Sequence, residues 1–257
     1  MRIRLLCENS ASGLVWQAEW GFSAFIEFGG KKILFDTGYS DVWQKNAEIA
    51  GIDLNDVDVI VLSHFHDDHT RGLLTHTFEE RKNLVCHPRV LTESYDSDDP
   101  AAMQDYRDIR AILKNDFEVQ TARGPLELAE GAYFLGEIPR ATTFERGMSF
   151  DDPMEDDTAL AFRTDKGAVV VVGCAHAGIC NIALRAKQVT GQELHAVIGG
   201  FHMMKNEKPP IEETIDWFRK ENVEHLLPMH CVEFEYMARF HAAFAVPKFG
   251  AGDLIEI

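Results

Sequence analysis

The feature that most constrains this chain is a junction. The apolar run Val57-Asp58-Val59-Ile60-Val61-Leu62 passes directly into Ser63-His64-Phe65-His66-Asp67-Asp68-His69. The run is rich in β-branched residues and reads as a buried strand, and the histidines follow where that strand must end and turn. Three imidazoles and a carboxylate within so short a loop are costly to crowd together unless a cation holds them. His64 and His66, two apart, can point the same way from an extended or tightly turned backbone, while Asp68 and His69 leave the turn on another side. One loop can then serve two adjacent metals, and its donors suit zinc, manganese or iron rather than calcium. The plain alternative is a solvated, histidine-rich loop.

The totals narrow the class. A chain of 257 residues with 46% hydrophobic content fits one large α/β domain, and no low-complexity linker divides it. A net charge of −17 argues against nucleic acid, which needs clustered Lys and Arg. Five scattered cysteines do not look like a disulfide framework. The first residues, Met1-Arg2-Ile3-Arg4, are too charged for a signal peptide and no apolar stretch reaches membrane length, so the expectation is a cytoplasmic protein.

Strands are expected over residues 3–6, 23–28 and 32–35, the last two joined at Gly29-Gly30, with Asp36-Thr37-Gly38 turning the chain afterwards. Asp41 should cap a short helix that stops at Gly51. After the histidine loop, Leu73, Leu74 and Phe78 suggest a helix over 70–80, and a strand at 83–86 leads to His87. A lone histidine there is more often packed than functional. A helix should start at Asp99-Pro100 and run to Lys114, followed by strands at 117–121 and 132–135. The acidic residues Asp151-Asp152 and Glu155-Asp156-Asp157 read as a solvated loop, with Asp157 just before the next strand. A hairpin over 159–163 and 168–172 runs into Gly173-Cys174-Ala175-His176-Ala177-Gly178 and a helix over 179–188. Strands at 194–198, 225–228 and 254–257, with helices after Pro210 and around Phe234, Met237 and Phe240, complete the pattern.

His64-x-His66-x-Asp68-His69 after a hydrophobic strand, with Asp36-Thr37-Gly38 upstream, resembles the metallo-β-lactamase superfamily. Gly136-Glu137-Ile138-Pro139-Arg140, Gly173-Cys174-Ala175-His176-Ala177-Gly178, Gly199-Gly200-Phe201-His202 and His230-Cys231 resemble, more narrowly, the 7,8-dihydropterin-6-methyl-4-(β-D-ribofuranosyl)aminobenzene-5′-phosphate synthase-like hydrolases. The resemblance covers nearly the whole chain. It implies an α/β fold, a four-layer αβ/βα sandwich, as one domain over residues 1–257. It implies two divalent transition metals, zinc first, with manganese or iron as alternatives.

One loop cannot complete two metal shells, so His64, His66, Asp68 and His69 need ligands from later strand ends. His176 stands in a strand-to-helix turn among small residues, and His230 occupies the place of the superfamily's last ligand; either could instead be a cap or a packed side chain. Cys174 stands where most superfamily hydrolases carry a bridging aspartate, so it is either a thiolate ligand or a small buried residue. Asp157, just before a strand, is in a place that the family resemblance implies can hold a metal ligand. Asp36 would accept a ligand imidazole's second N–H and fix its tautomer, or simply make the turn. His202, after two glycines, is a substrate contact, a ligand or a core histidine.

The expected activity is hydrolysis of an ester, lactone or phosphoester-type small molecule by a hydroxide generated at the dinuclear centre, Asp68 orienting it and His202 in contact with the substrate. The alternatives are a phosphoribosyl-aminobenzoate condensing synthase and a low-turnover metal or ligand sensor. The substrate should be anionic: Arg140 and the free N–H groups of the helix start after Gly178 could receive a phosphate or carboxylate. Arg140 could equally pin the acidic stretch at 151–157.

Overall fold

The computed structural model describes residues 1–92, 100–145 and 152–257. The expectation is one domain; by contact the chain groups into two compact units, one of Met1–Ala122 with Phe249–Ile257, the other of Arg123–Lys248.

In the first unit, β1 (Arg2–Cys7), β2 (Ser23–Phe28), β3 (Lys31–Phe35), β4 (Val59–Val61), β5 (Lys82–Cys86), β6 (Phe117–Thr121) and the C-terminal β13 (Leu254–Glu256) form a mixed sheet ordered β13-β1-β2-β3-β4-β5-β6. β3 to β6 run parallel, so each step between them needs a crossover. α1 (Val42–Ile49) supplies the first and α4 (Pro100–Asp116) the last; α2 (Asp67–Thr70) and α3 (Arg89–Thr92) are single turns. Trp43, Ile60, Leu62, Phe65, Leu84, Ile109 and Leu113 are buried together, each side chain contributing about 2 kcal/mol. The histidine loop follows the carboxyl end of β4, the side of a parallel sheet where ligands usually bind.

Two local expectations change. Asp41 stands at the N-cap of α1 but makes no capping hydrogen bond; its carboxylate pairs with Lys45 at 2.7 Å instead. The helix expected over 70–80 is only a 3-10 stretch, Arg71–Thr75. Gly72 explains this. A Cβ there would lie 2.0 Å from the Thr37 carbonyl oxygen, and its N–H donates to the Gly38 carbonyl at 3.0 Å. The segment is docked backbone-first against the Asp36-Thr37-Gly38 turn, which tightens it and ends it.

The second unit has the sheet β12-β11-β10-β9-β8-β7: β7 (Leu126–Ala129), β8 (Ala132–Phe134), β9 (Ala159–Thr164), β10 (Gly167–Val172), β11 (Leu194–Gly200) and β12 (His225–Met229). β10, β11 and β12 are parallel, connected through α5 (Ile179–Thr190) and α6 (Ile211–Glu221); α7 (Phe234–Phe244) follows β12. Val170, Val172, Ile179, Ile182, Phe201, Phe218 and Phe240 make its core. β7 is the strand the sequence expectation lacks, a short edge whose Leu126-Glu127-Leu128 alternation spans too few residues to stand out. Two mixed sheets, each with its own helices, give the α/β, αβ/βα class expected. Asp99 and Asp151, named above as a helix start and part of the acidic stretch, lie outside the described residues.

Candidate metal centre

The first candidate ligand set is organised by Asp36. This residue is wholly buried and sits at φ +57, a region that only tertiary contacts hold for a non-glycine residue. Its Oδ1 accepts from the Ser63 N–H at 2.7 Å, and its Oδ2 accepts from the Ser63 hydroxyl at 2.7 Å. His69 Nδ1 lies 2.7 Å from the same Oδ2 and must donate to it. The Ser63 hydroxyl, having spent its proton on Asp36, can only accept from His64 Nδ1 at 2.8 Å. Both Nδ1 atoms therefore carry protons, so each ring in its neutral form presents its lone pair at Nε2.

Those lone pairs converge. His64 Nε2 is 3.0 Å from His66 Nδ1, and the His64 and His69 rings are 4.2 Å apart. Asp68 Oδ2 stands 3.7 Å from His69 Nε2. α2 begins at Asp67 directly after His66, and Phe22 donates its backbone N–H to the Asp68 carbonyl at 3.1 Å, which fixes where the loop turns. Burial, and then the neighbouring Asp68 charge, push the Asp67 carboxyl up. Nitrogen donors gathered this closely, with tautomers already set, fit a transition-metal ion.

The second set comes from four separate strand ends. His176 and Cys174 follow β10, His202 follows β11, His230 and Cys231 follow β12, and Asp157 precedes β9. The His176 and His202 rings are 4.1 Å apart, and Cys174 Sγ lies 3.8 Å from His202 Nδ1. Donor atoms of Cys174, His202 and Cys231 all fall within 4.8 Å of one another. Backbone strain marks the place: Ala175, His202 and His230 have φ of 55°, 51° and 55°. Packing is close here as well: a Cβ on Gly199 would lie 2.0 Å from the Val172 carbonyl oxygen and one on Gly200 2.7 Å from Cys231 Sγ.

Cys231 is the residue sequence reasoning passed over. Its sulfur accepts from the His202 N–H at 3.2 Å and lies 3.4 Å from the Cys174 carbonyl oxygen. Burial pushes the thiol up, yet hydrogen bonding with Cys174 and His202 and the nearby His230 and His202 charges bring it well below its ordinary value. Asp157 is wholly buried; Oδ2 accepts from the Ala177 N–H at 2.7 Å, while Oδ1 has no hydrogen-bond partner among the described residues. Burial raises its carboxyl to about 7, against the lowering effects of the Ala177 N–H and Arg140. An orphaned, buried carboxylate oxygen fits a neighbouring cation.

Arg140 and the helix start after Gly178 are otherwise engaged. Arg140 donates to the Ile138 carbonyl at 2.6 Å, to the Pro153 carbonyl and to the Met154 carbonyl at 3.3 Å, contacts that hold the loop leading to Asp157. The Cys180 and Asn181 N–H groups of α5 donate to the Glu145 carboxylate at 3.0 Å each, so the protein supplies its own anion there. His87 is buried and accepts from the Arg89 N–H at 3.2 Å, a packed turn-forming histidine.

Histidine, carboxylate and thiol donors at strand ends of an α/β protein define a transition-metal-binding class. The chain belongs to the metallo-β-lactamase superfamily, whose family model matches residues 21–180. It is 30% identical to the 7,8-dihydropterin-6-methyl-4-(β-D-ribofuranosyl)-aminobenzene-5′-phosphate synthase of Methanocaldococcus jannaschii, over 93% of this chain and 90% of that one. Among solved structures, Tm1679, described as a metal-dependent hydrolase of the β-lactamase superfamily, superposes with TM-score 0.83 at 28% identity, covering 100% of this chain and 99% of the other. Zn(2+)-bound PqqB from Methylobacterium extorquens shares the fold at TM-score 0.62 and 14% identity, with 100% of both chains covered. Superfamily membership supports a metal-dependent enzyme acting on a small molecule. Among the described residues no helix is long and apolar enough to cross a membrane.

Proposed function

We propose that this protein is a metal-dependent hydrolase of an ester, lactone or phosphoester-type small molecule, its two units working as a single domain. In this reading His64, His66, Asp68, His69, Cys174, His176 and His230 are the ligands of two divalent transition ions, zinc best matching the donors. The observation that carries it is the Asp36 network, which leaves His64 Nε2 and His69 Nε2 as unprotonated donors beside His66 Nδ1. The Tm1679 likeness supports hydrolysis as the chemistry.

When bound, the ions supply Lewis-acid polarisation of the scissile centre and acidify water to near neutrality. The chain's own groups do the rest. Asp36 keeps two imidazoles in the tautomer that can coordinate. Asp68 orients the attacking water and takes up its proton. His202, beside Cys174 and His176, contacts the substrate and can return a proton to the leaving group. Arg140 holds the loop that carries Asp157; a direct contact with an anionic substrate is the competing role.

A second reading, a phosphoribosyl-aminobenzoate condensing synthase, is supported by the relationship to the archaeal synthase. Product analysis tests the choice. Hydrolysis gives cleavage of a single bond in an ester or phosphoester panel; release of pyrophosphate and carbon dioxide from a phosphoribosyl donor and an aminobenzoate would replace it with the synthase.

A further inference from the structure

The second unit carries another cluster of metal-ligating side chains, at the far ends of strands that lead to the candidate centre. His195 stands near the start of β11 and His225 at the start of β12, whereas His202 and His230 lie beyond the opposite ends of the same strands. These strands are parallel with Ala196 opposite His225, which brings His195, one residue earlier, to the same end of the sheet as His225. Their ring centroids are 5.0 Å apart at an interplanar angle of 83°. Glu224 reaches both: Oε2 is 3.2 Å from His195 Nδ1, and Oε1 is 3.5 Å from His225 Nε2. The three donors all lie within 4.8 Å of one another.

The distances separate two accounts of this cluster. A charge-assisted N–H···O bond closes to about 2.7–2.9 Å. Donors held about 2.0–2.2 Å from a tetrahedral zinc ion stand roughly 3.3–3.5 Å from each other. The observed 3.2 and 3.5 Å are longer than such a charge-assisted bond and run to the two different oxygens of one carboxylate, so Glu224 brings an oxygen toward each ring. His195 is only 3% exposed, which fixes its ring with Nδ1 turned to Glu224. Glu224 and His225 are 68% and 44% exposed at the side chain, so an ion can enter from solvent and keep water at its open position.

We propose that His195, Glu224 and His225 form a binding site for one divalent transition ion, zinc suiting two imidazoles and a carboxylate best. The site is distinct from the candidate centre: the length of β11 puts roughly 20 Å between His195 and His202. β12 is the edge strand of its sheet, and the ion would clamp that edge to β11. The role is a structural staple rather than a second reaction site.

Zinc content per chain after equilibration at fixed free zinc tests this directly. Glu224→Gln keeps the side chain's shape and His225→Ala changes a half-exposed position, so both variants keep the fold. Each should hold one zinc fewer than the parent chain. The same difference should persist in a His66→Ala background, where the candidate centre is impaired; this separates the proposal from the hydrolase reading. Equal zinc contents for parent and variants would overturn it. So would a loss confined to the background with His66 intact, because these residues would then act through the other centre.

Discussion

The two candidate ligand sets are built on opposite plans. In the first unit the donors come from one loop, and a single buried carboxylate, Asp36, sets the proton positions of His64 and His69. In the second, they come from separate strand ends and are held by strained backbone, close glycine packing and sulfur contacts. One plan concentrates control in one residue. The other spreads it, so single changes there should do less damage.

The largest effect should come from the concentrated set. His66→Ala should strip most bound metal and drop turnover to background while the sheets stay folded, as elemental analysis, kinetics and circular dichroism would show. Asp36→Asn should lower metal affinity or activity about 10–100-fold, because the amide no longer dictates both tautomers. If Asp36→Asn were harmless, the claim of concentrated control would fail.

Control by the second set is read through charge. Asp157 titrates near 7 in the folded chain against an ordinary value of 3.8. A raised carboxyl binds its proton more tightly when folded. Its contribution is therefore fully present below about pH 4 and is lost as pH rises to about 7. Denaturant unfolding of the metal-free chain should show that decline, and Asp157→Asn should flatten it.

How much was legible follows the same division. The histidine loop could be read as a candidate cluster because chain order alone brings its donors together. Cys231 was not, because its meeting with Cys174 and His202 depends on the parallel order of β10, β11 and β12. Glu145 was hidden for a related reason: nothing local says that a carboxylate 35 residues away will fill the α5 N-terminus. The expected helix over 70–80 failed on a tertiary contact, the docking of Gly72 on Thr37 and Gly38. Periodicity sees faces, not such approaches.

Smaller effects sharpen the contrast further. Cys174→Ser should weaken one metal more than the other, a hydroxyl being a poorer donor than a thiolate; unchanged affinities would assign Cys174 to packing. Arg140→Lys should affect charged and neutral substrates equally if Arg140 only pins its loop, and should raise KM for anionic ones alone if it contacts them. Ala175→Gly should stabilise the chain by up to about 1 kcal/mol, read as a rise in Tm, by relieving its positive φ.

The central claim is that the two sets together hold two transition ions. Elemental analysis of the His225→Ala chain, purified gently and supplemented with zinc, tests it most directly, since the staple site is then removed from the count. The account predicts close to two zinc ions per chain, falling sharply when His66→Ala is added. A chain that binds essentially no metal under those conditions would contradict it.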